Sequence, residues 1–306
     1  MHPKWTGIYP AVTTQFLEDG SLDLKGFCGG IEAQIQAGVD GIIVCGSLGE
    51  NSTLDCEEKF SLLHHAKKQC DGRVPVILCL AECATKAAIS FVLRAQAEGA
   101  DGLMILPPMR YLSDDLETLT YLRKVVTATP LPVMIYNNPI AYKTLITQDI
   151  FQALAEYPQV QSMKESTGDV RNLTDLRNAF GNRFRILTGV DDLALESLMM
   201  GADGWVAGLV CAFPRETVAI YRLSVQGKWD EAREIYRWFY PLLHLDVSNK
   251  LVQNIKLAQS LTGMGTEFVR QPRLPLYGNE RENVLKIIQQ ALATRPKLPQ
   301  GSHGGL

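Results

Sequence analysis

Short apolar runs rich in Val and Ile alternate along the chain with longer segments whose apolar residues recur at helical spacing. The runs lie at 7–12, 41–45, 76–80, 102–106, 133–136, 160–163, 185–187 and 204–207. Their length and their Val and Ile content predict eight buried strands. Strand starts fall about 20 to 35 residues apart, the size of one strand–helix unit. Between them Phe27, Ile31 and Ile35 make one helical stripe, and Leu116, Leu119, Leu122 and Val126 another. Thr85, Ser113 and Thr147 stand where N-caps are expected, and Pro214 suits a first helical turn.

One phrase recurs before three of the runs: Ala37-Gly38-Val39-Asp40-Gly41, Glu98-Gly99-Ala100-Asp101-Gly102 and Met200-Gly201-Ala202-Asp203-Gly204. Each ends a helix with glycine as left-handed cap and leads straight into a strand. A repeated helix-to-strand turn is what a (β/α)8 TIM barrel produces. A doubly wound open sheet also alternates, but it usually carries a glycine-rich dinucleotide loop, which this chain lacks. From Pro214 onward the pattern is helical only, with segments at 229–245, 249–261 and 280–293 and breaks at Pro241 and 270–275. The run 244–261 reads as one amphipathic helix. The expected organisation is a barrel core at 1–213, the last barrel helix and a C-terminal helical extension at 214–294, and a disordered tail at 295–306.

Composition narrows the function. With 306 residues, 46% hydrophobic content and net charge −3, the chain lacks the basic stripes of a nucleic-acid binder. No run of about 18 apolar residues predicts a membrane span. The opening residues lack the apolar core of a signal peptide. Seven cysteines, several inside apolar segments, read as reduced core residues of a cytoplasmic protein. Neither cysteines nor histidines have metal-ligand spacing, so no metal and no cofactor are expected.

In a TIM barrel the C-terminal strand ends share one mouth, and the active site lies there. Strand two delivers Gly46-Ser47-Leu48-Gly49-Glu50, and strand five Tyr136-Asn137-Asn138-Pro139. Strand six delivers Lys164-Glu165-Ser166-Thr167, strand seven Gly189-Val190-Asp191-Asp192, and strand eight Gly208. A lysine at the inner end of a strand is costly to bury as a cation, and the neutral amine is the form that attacks a carbonyl. Lys164 is therefore a candidate Schiff-base nucleophile, against the alternative of a surface lysine just past a strand end. Tyr136, one unit earlier, can relay protons, or be an ordinary barrel tyrosine. Ser47 and neighbouring N–H groups can hold a carboxylate, or simply make a tight turn. Glu50 is read as a brace for that loop. Asp191 and Asp192 can accept bonds from substrate hydroxyls, or cap the following helix.

GSLGEN at 46–51, YNNP at 136–139, Lys-Glu-Ser-Thr-Gly at 164–168 and Arg-Leu-Pro-Leu at 273–276 together resemble the dihydrodipicolinate synthase / N-acetylneuraminate lyase family over nearly the whole chain. The resemblance implies a homotetramer built as a dimer of dimers. It also implies a Schiff base between Lys164 and a 2-oxo acid, Tyr136 as proton relay, and a carboxylate held at Ser47 and Leu48; Ser166, Gly189 and Gly208, placed at the mouth by their strand ends, are expected to bind substrate beside them. The synthase itself carries Thr at the position of Leu48, Arg at that of Ala141 and a tyrosine pair at Pro108 and Met109, where a neighbouring subunit's residue can reach the site. These departures, with YNNP-x-x-Y ending at Tyr142 and HLDVSNKLVQNIKLAQ at 244–259, look most like Δ1-pyrroline-4-hydroxy-2-carboxylate deaminases. The same lysine and tyrosine would serve a 2-keto-3-deoxy sugar-acid dehydratase or aldolase.

Overall fold

The computed structural model describes residues 1–108 and 111–299. Eight parallel strands, β1 (Gly7–Pro10), β2 (Ile42–Val44), β3 (Val76–Leu80), β4 (Gly102–Ile105), β5 (Val133–Asn137), β6 (Val160–Glu165), β7 (Arg185–Thr188) and β8 (Gly204–Ala207), follow one another in the order 1-8-7-6-5-4-3-2. The ring closes between β1 and β2 through the Ala11–Ile43 bridge, where Val12 N–H donates to Ile43 C=O at 3.0 Å. This is the expected (β/α)8 TIM barrel with helices between the strands and a C-terminal helical extension.

Side chains alternate along each strand, and the two faces build two cores. Ile43, Ile77, Cys79, Met104, Met134, Tyr136, Leu187 and Val206 point inward and fill the barrel with Trp5 and Tyr9. Ile42, Val44, Leu78, Leu103, Ile105, Val133, Ile135 and Ile186 point outward into the layer shared with the helices. β6 runs two residues further than the apolar pattern predicts, so Lys164 lies within the strand and not after it. It pairs in register with Tyr136 of β5, and Glu165 pairs with Asn137. The lysine and the phenol thus share one level of the barrel interior.

Several helix ends differ from the sequence reading. Thr147 caps Gln148–Leu154 as expected, and Pro214 opens Pro214–Val225. Asp114, and not Ser113, caps Asp115–Val126, because Glu117 completes a capping box with it. Ala84 precedes Thr85–Ala97 without a side-chain cap. Leu116 is 72% exposed, and the buried stripe of its helix is Thr118, Tyr121, Leu122, Val125 and Val126.

The C-terminal region departs most. Pro241 lies inside the helix Trp229–Leu243, within its last turn. The run 244–261 is not one helix: residues 244–250 form turns, and Leu251–Thr262 is the next helix. These turns cross the barrel mouth. Gly278–Ala293 closes the extension. Arg295, expected in the disordered tail, is held instead by two bonds from its guanidinium to the buried Glu216 carboxylate. The rest of that tail from residue 300 lies outside the described residues. All seven cysteines are unpaired, and no helix among the described residues is long and apolar enough to cross a membrane.

Candidate active site

The mouth of the barrel holds a cavity of about 380 Å³. Its floor is set by β5 and β6. Lys164 is 7% exposed, and its Nζ lies 4.1 Å from the centre of the Tyr136 ring. Lys164 makes no ion pair among the described residues, so the ring face is the surface against which the amine is held. The sequence alternative of a surface lysine is excluded. Tyr136 accepts a bond from Asn138 Nδ2 at 3.0 Å. Tyr142 stands edge-on to Tyr136, ring centroids 5.5 Å apart, and its hydroxyl shares a short hydrogen bond with Ser47 Oγ. Three hydroxyl groups are thereby gathered on the β2–β5 side of the lysine. Burial pushes the Tyr142 phenol well above its usual pKa, reinforced by Tyr136 and opposed by the hydrogen bond shared with Ser47.

The loop 46–49 faces the lysine from β2. Gly49 is demanded by space: a Cβ there would lie 3.0 Å from Val12 C=O and 3.2 Å from Gly46 N. Leu48 is buried and lines the cavity beside Ser47. Glu50 follows with a left-handed backbone (φ 56°). It is fully buried, with Lys256 Nζ donating to Oε1 at 2.6 Å and Arg270 N–H to Oε2 at 3.1 Å. Glu50 thus braces the loop, as the sequence reading holds.

Gly189 and Gly208 line the cavity for a reason the sequence does not show. A Cβ at Gly189 would strike Lys164 Cε at 2.3 Å and Ser166 Oγ at 2.2 Å; one at Gly208 would strike Asp246 Oδ1 at 2.4 Å. Ser166 lines the cavity, and its Oγ is buried with no hydrogen-bond partner among the described residues.

The two aspartates after β7 do not line the cavity. Asp191 is fully buried and accepts from Trp205 Nε1 at 2.9 Å, Leu209 N–H at 2.8 Å and Gly208 N–H at 3.2 Å. Burial raises its pKa and these bonds oppose the rise. It ties the end of β7 to the end of β8 and has no free acceptor aimed at a ligand. Asp192 accepts from His244 Nδ1 at 2.9 Å, anchoring the turns above the mouth. Against the expected contact with substrate hydroxyls, neither Asp191 nor Asp192 lines the cavity, and their carboxylates bond Trp205, the Gly208 and Leu209 N–H groups and His244 instead. Met109 lies outside the described residues. Tyr142 and Asp246 are among the residues that line the site and that sequence reasoning left out. Tyr142 was visible in the YNNP-x-x-Y spacing; Asp246 was hidden by reading 244–261 as one helix.

A family model described as the dihydrodipicolinate synthetase family matches residues 4–291. The chain belongs to this family. Relatives agree: the 4-hydroxy-tetrahydrodipicolinate synthase of Anaplasma marginale (strain Florida) is 30% identical over 94% of this chain and 95% of its own length. That of Leptospira biflexa is 30% identical over 93% and 97%. Among solved structures, the 4-hydroxy-tetrahydrodipicolinate synthase of Methylacidiphilum fumariolicum SolV superposes with TM-score 0.90 at 28% identity, covering 94% of this chain and 96% of that one. Members of this family are lyases that form a lysine Schiff base with pyruvate and need no metal or cofactor, and they are typically homotetramers acting on small substrates. The relatives named above bear the synthase name and not that of the deaminase.

Proposed function

We propose that this family member is an elimination-type Schiff-base lyase, a deaminase that converts Δ1-pyrroline-4-hydroxy-2-carboxylate to 2-oxoglutarate semialdehyde and ammonia. The observation that carries the reading is the charge pattern of the mouth. Among the described residues lining the cavity, Lys164 is the sole cation, while Leu48 and Ala141 present apolar surface. One carboxylate can be held by Ser47, the loop N–H groups and Ser166 Oγ without a formal charge. A second carboxylate on the far end of a substrate meets no cation there. This favours a substrate with one carboxylate and an uncharged hydroxylated end.

In this reading the Lys164 amine attacks C2 of the cyclic imine and opens the ring by transimination. The iminium acidifies C3–H and water leaves from C4, giving C3=C4. Loss of a proton from C5 and its return to C3 give a C4=C5 enamine of the freed amine, which tautomerises to the C5 imine. Hydrolysis at C5 and at C2 releases ammonia, the semialdehyde and the Lys164 amine. Tyr136, with Tyr142 and Ser47 behind it, serves the proton transfers at C2. The names of the relatives favour a second reading, condensation of pyruvate with an aldehyde. Three parallel assays separate the possibilities: the hydroxy-pyrroline carboxylate, pyruvate with aspartate semialdehyde, and a 2-keto-3-deoxy sugar acid. Ammonia and 2-oxoglutarate semialdehyde from the first at the highest kcat/KM are expected. Higher kcat/KM with either of the other two overturns the deaminase assignment.

The family assembly, a dimer of dimers, is proposed for this chain as well. Sedimentation at micromolar concentration is expected to give four chains per particle, and a monomer sinks the assignment.

A further inference from the structure

We propose that Asp246 is a second acid–base catalyst of this site, carrying a proton between C3 and the leaving oxygen at C4 of the Lys164-bound substrate. This rests on the elimination reading above.

Asp246 sits in the turns 244–250 that cross the mouth. The segment is built to hold it. Its N–H donates to Leu243 C=O at 3.0 Å, and Asn254 Nδ2 bonds both Leu245 C=O at 3.0 Å and Ser248 Oγ at 2.8 Å. The carboxylate lies directly over Gly208, where any side chain would collide with Oδ1. Among the described residues it is the sole carboxylate lining the cavity, as Lys164 is the sole cation. The other acids nearby are spent: Asp191 on Trp205 and the Gly208 and Leu209 N–H groups, Asp192 on His244. Asp246 comes in over β8 and Tyr136 from β5, on opposite sides of β6 in the strand order. The two groups can therefore divide the proton traffic. Tyr136, engaged with Asn138, serves C2; Asp246 serves the chain beyond it.

Burial and the neighbouring Asp191 push the Asp246 carboxyl well above its usual range, with the Lys164 charge pulling it back. A carboxyl shifted in that direction holds a proton more readily than an ordinary one, which suits a group that must both take and return a proton. The step balances. The carboxylate takes H⁺ from C3, the C3–H electron pair forms C2=C3, and the iminium pair moves to nitrogen. The nitrogen pair then returns, C3=C4 forms, and the C4–O bond breaks. The departing oxygen takes the proton from Asp246 and leaves as water, restoring the carboxylate.

The test needs only the full chain and pyruvate. Wild-type protein is expected to form a borohydride-trappable adduct at Lys164 and to exchange the pyruvate methyl protons for deuterium in D2O. D246N is expected to trap pyruvate within about threefold of wild type but to lose exchange by about 100-fold, with D246E restoring part of it. Exchange by D246N within threefold of wild type overturns the assignment, and so does a parallel loss of trapping and exchange, which marks a structural role. Wild-type protein that traps no pyruvate overturns the lyase reading itself and this inference with it.

Discussion

Replacing Lys164 with alanine is expected to abolish borohydride-dependent labelling by pyruvate and to lower turnover by roughly 10⁴-fold or more, the scale on which removal of a covalent nucleophile acts. The expectation follows from what holds the amine. Lys164 has no paired carboxylate among the described residues and is packed on the Tyr136 ring at 4.1 Å. Its side chain also abuts Gly189, where a single methyl group would collide with Cε. Nothing in that arrangement uses the amine structurally. Stability is therefore expected to change little in K164A, since the amine makes no ion pair among the described residues and Asp246, left without the cation of its cavity, can take up a proton. Lys164→Arg sharpens the test, because it keeps a cation but forms no imine under these conditions. Both variants should be inactive and folded. Turnover by K164A within tenfold of wild type, with its melting temperature retained, sinks the Schiff-base mechanism.

How much of this site could be read from sequence depended on whether one physical rule decided the position. Strand positions were legible because a strand buried on both faces must be apolar nearly throughout, and β3 and β8 begin and end where the pattern places them. Lys164 and Tyr136 were legible as a pair because both stand at strand ends one unit apart. The role of Asp191 was not, since a carboxylate after a strand reads the same whether it faces a ligand or a neighbour's N–H groups. Only the positions of Trp205, Gly208 and Leu209 separate the two. Asp246 was illegible for a different reason. The apolar spacing of 244–261 continues across a break that Asn254 stabilises by bonding back to Leu245 and Ser248. Apolar spacing alone does not mark such a turn. Gly189 and Gly208 needed the fold as well, because neither has a left-handed backbone and each is small for the sake of a side chain distant in sequence.

Breaking the Glu50–Lys256 pair is expected to cost about 3–5 kcal/mol, the range for stranding one member of a buried ion pair, and to lower the melting temperature by roughly 5–15 °C. Both side chains are fully buried, and Nζ and Oε1 are 2.6 Å apart. Lys256 also donates to Phe268 C=O at 2.6 Å, and Arg273 approaches Glu50 at 3.6 Å. The pair joins the C-terminal extension to the loop that places Ser47 and Leu48. K256M should therefore raise KM for a 2-oxo acid as well as destabilise. The double variant E50Q/K256M should recover part of the stability lost in either single one, because the stranded charge is gone. The pH dependence carries its own sign. Burial lowers the Lys256 pKa from 10.5 to about 8, with Glu50 opposing the shift. Between those values the unfolded chain holds more protons at this residue than the folded one, so the stability that Lys256 contributes rises with pH. The melting-temperature gap between wild type and K256M is accordingly expected to widen from pH 8 to pH 10. A gap that narrows over that interval would show that pairing with Glu50, and not burial, governs the charge on Lys256.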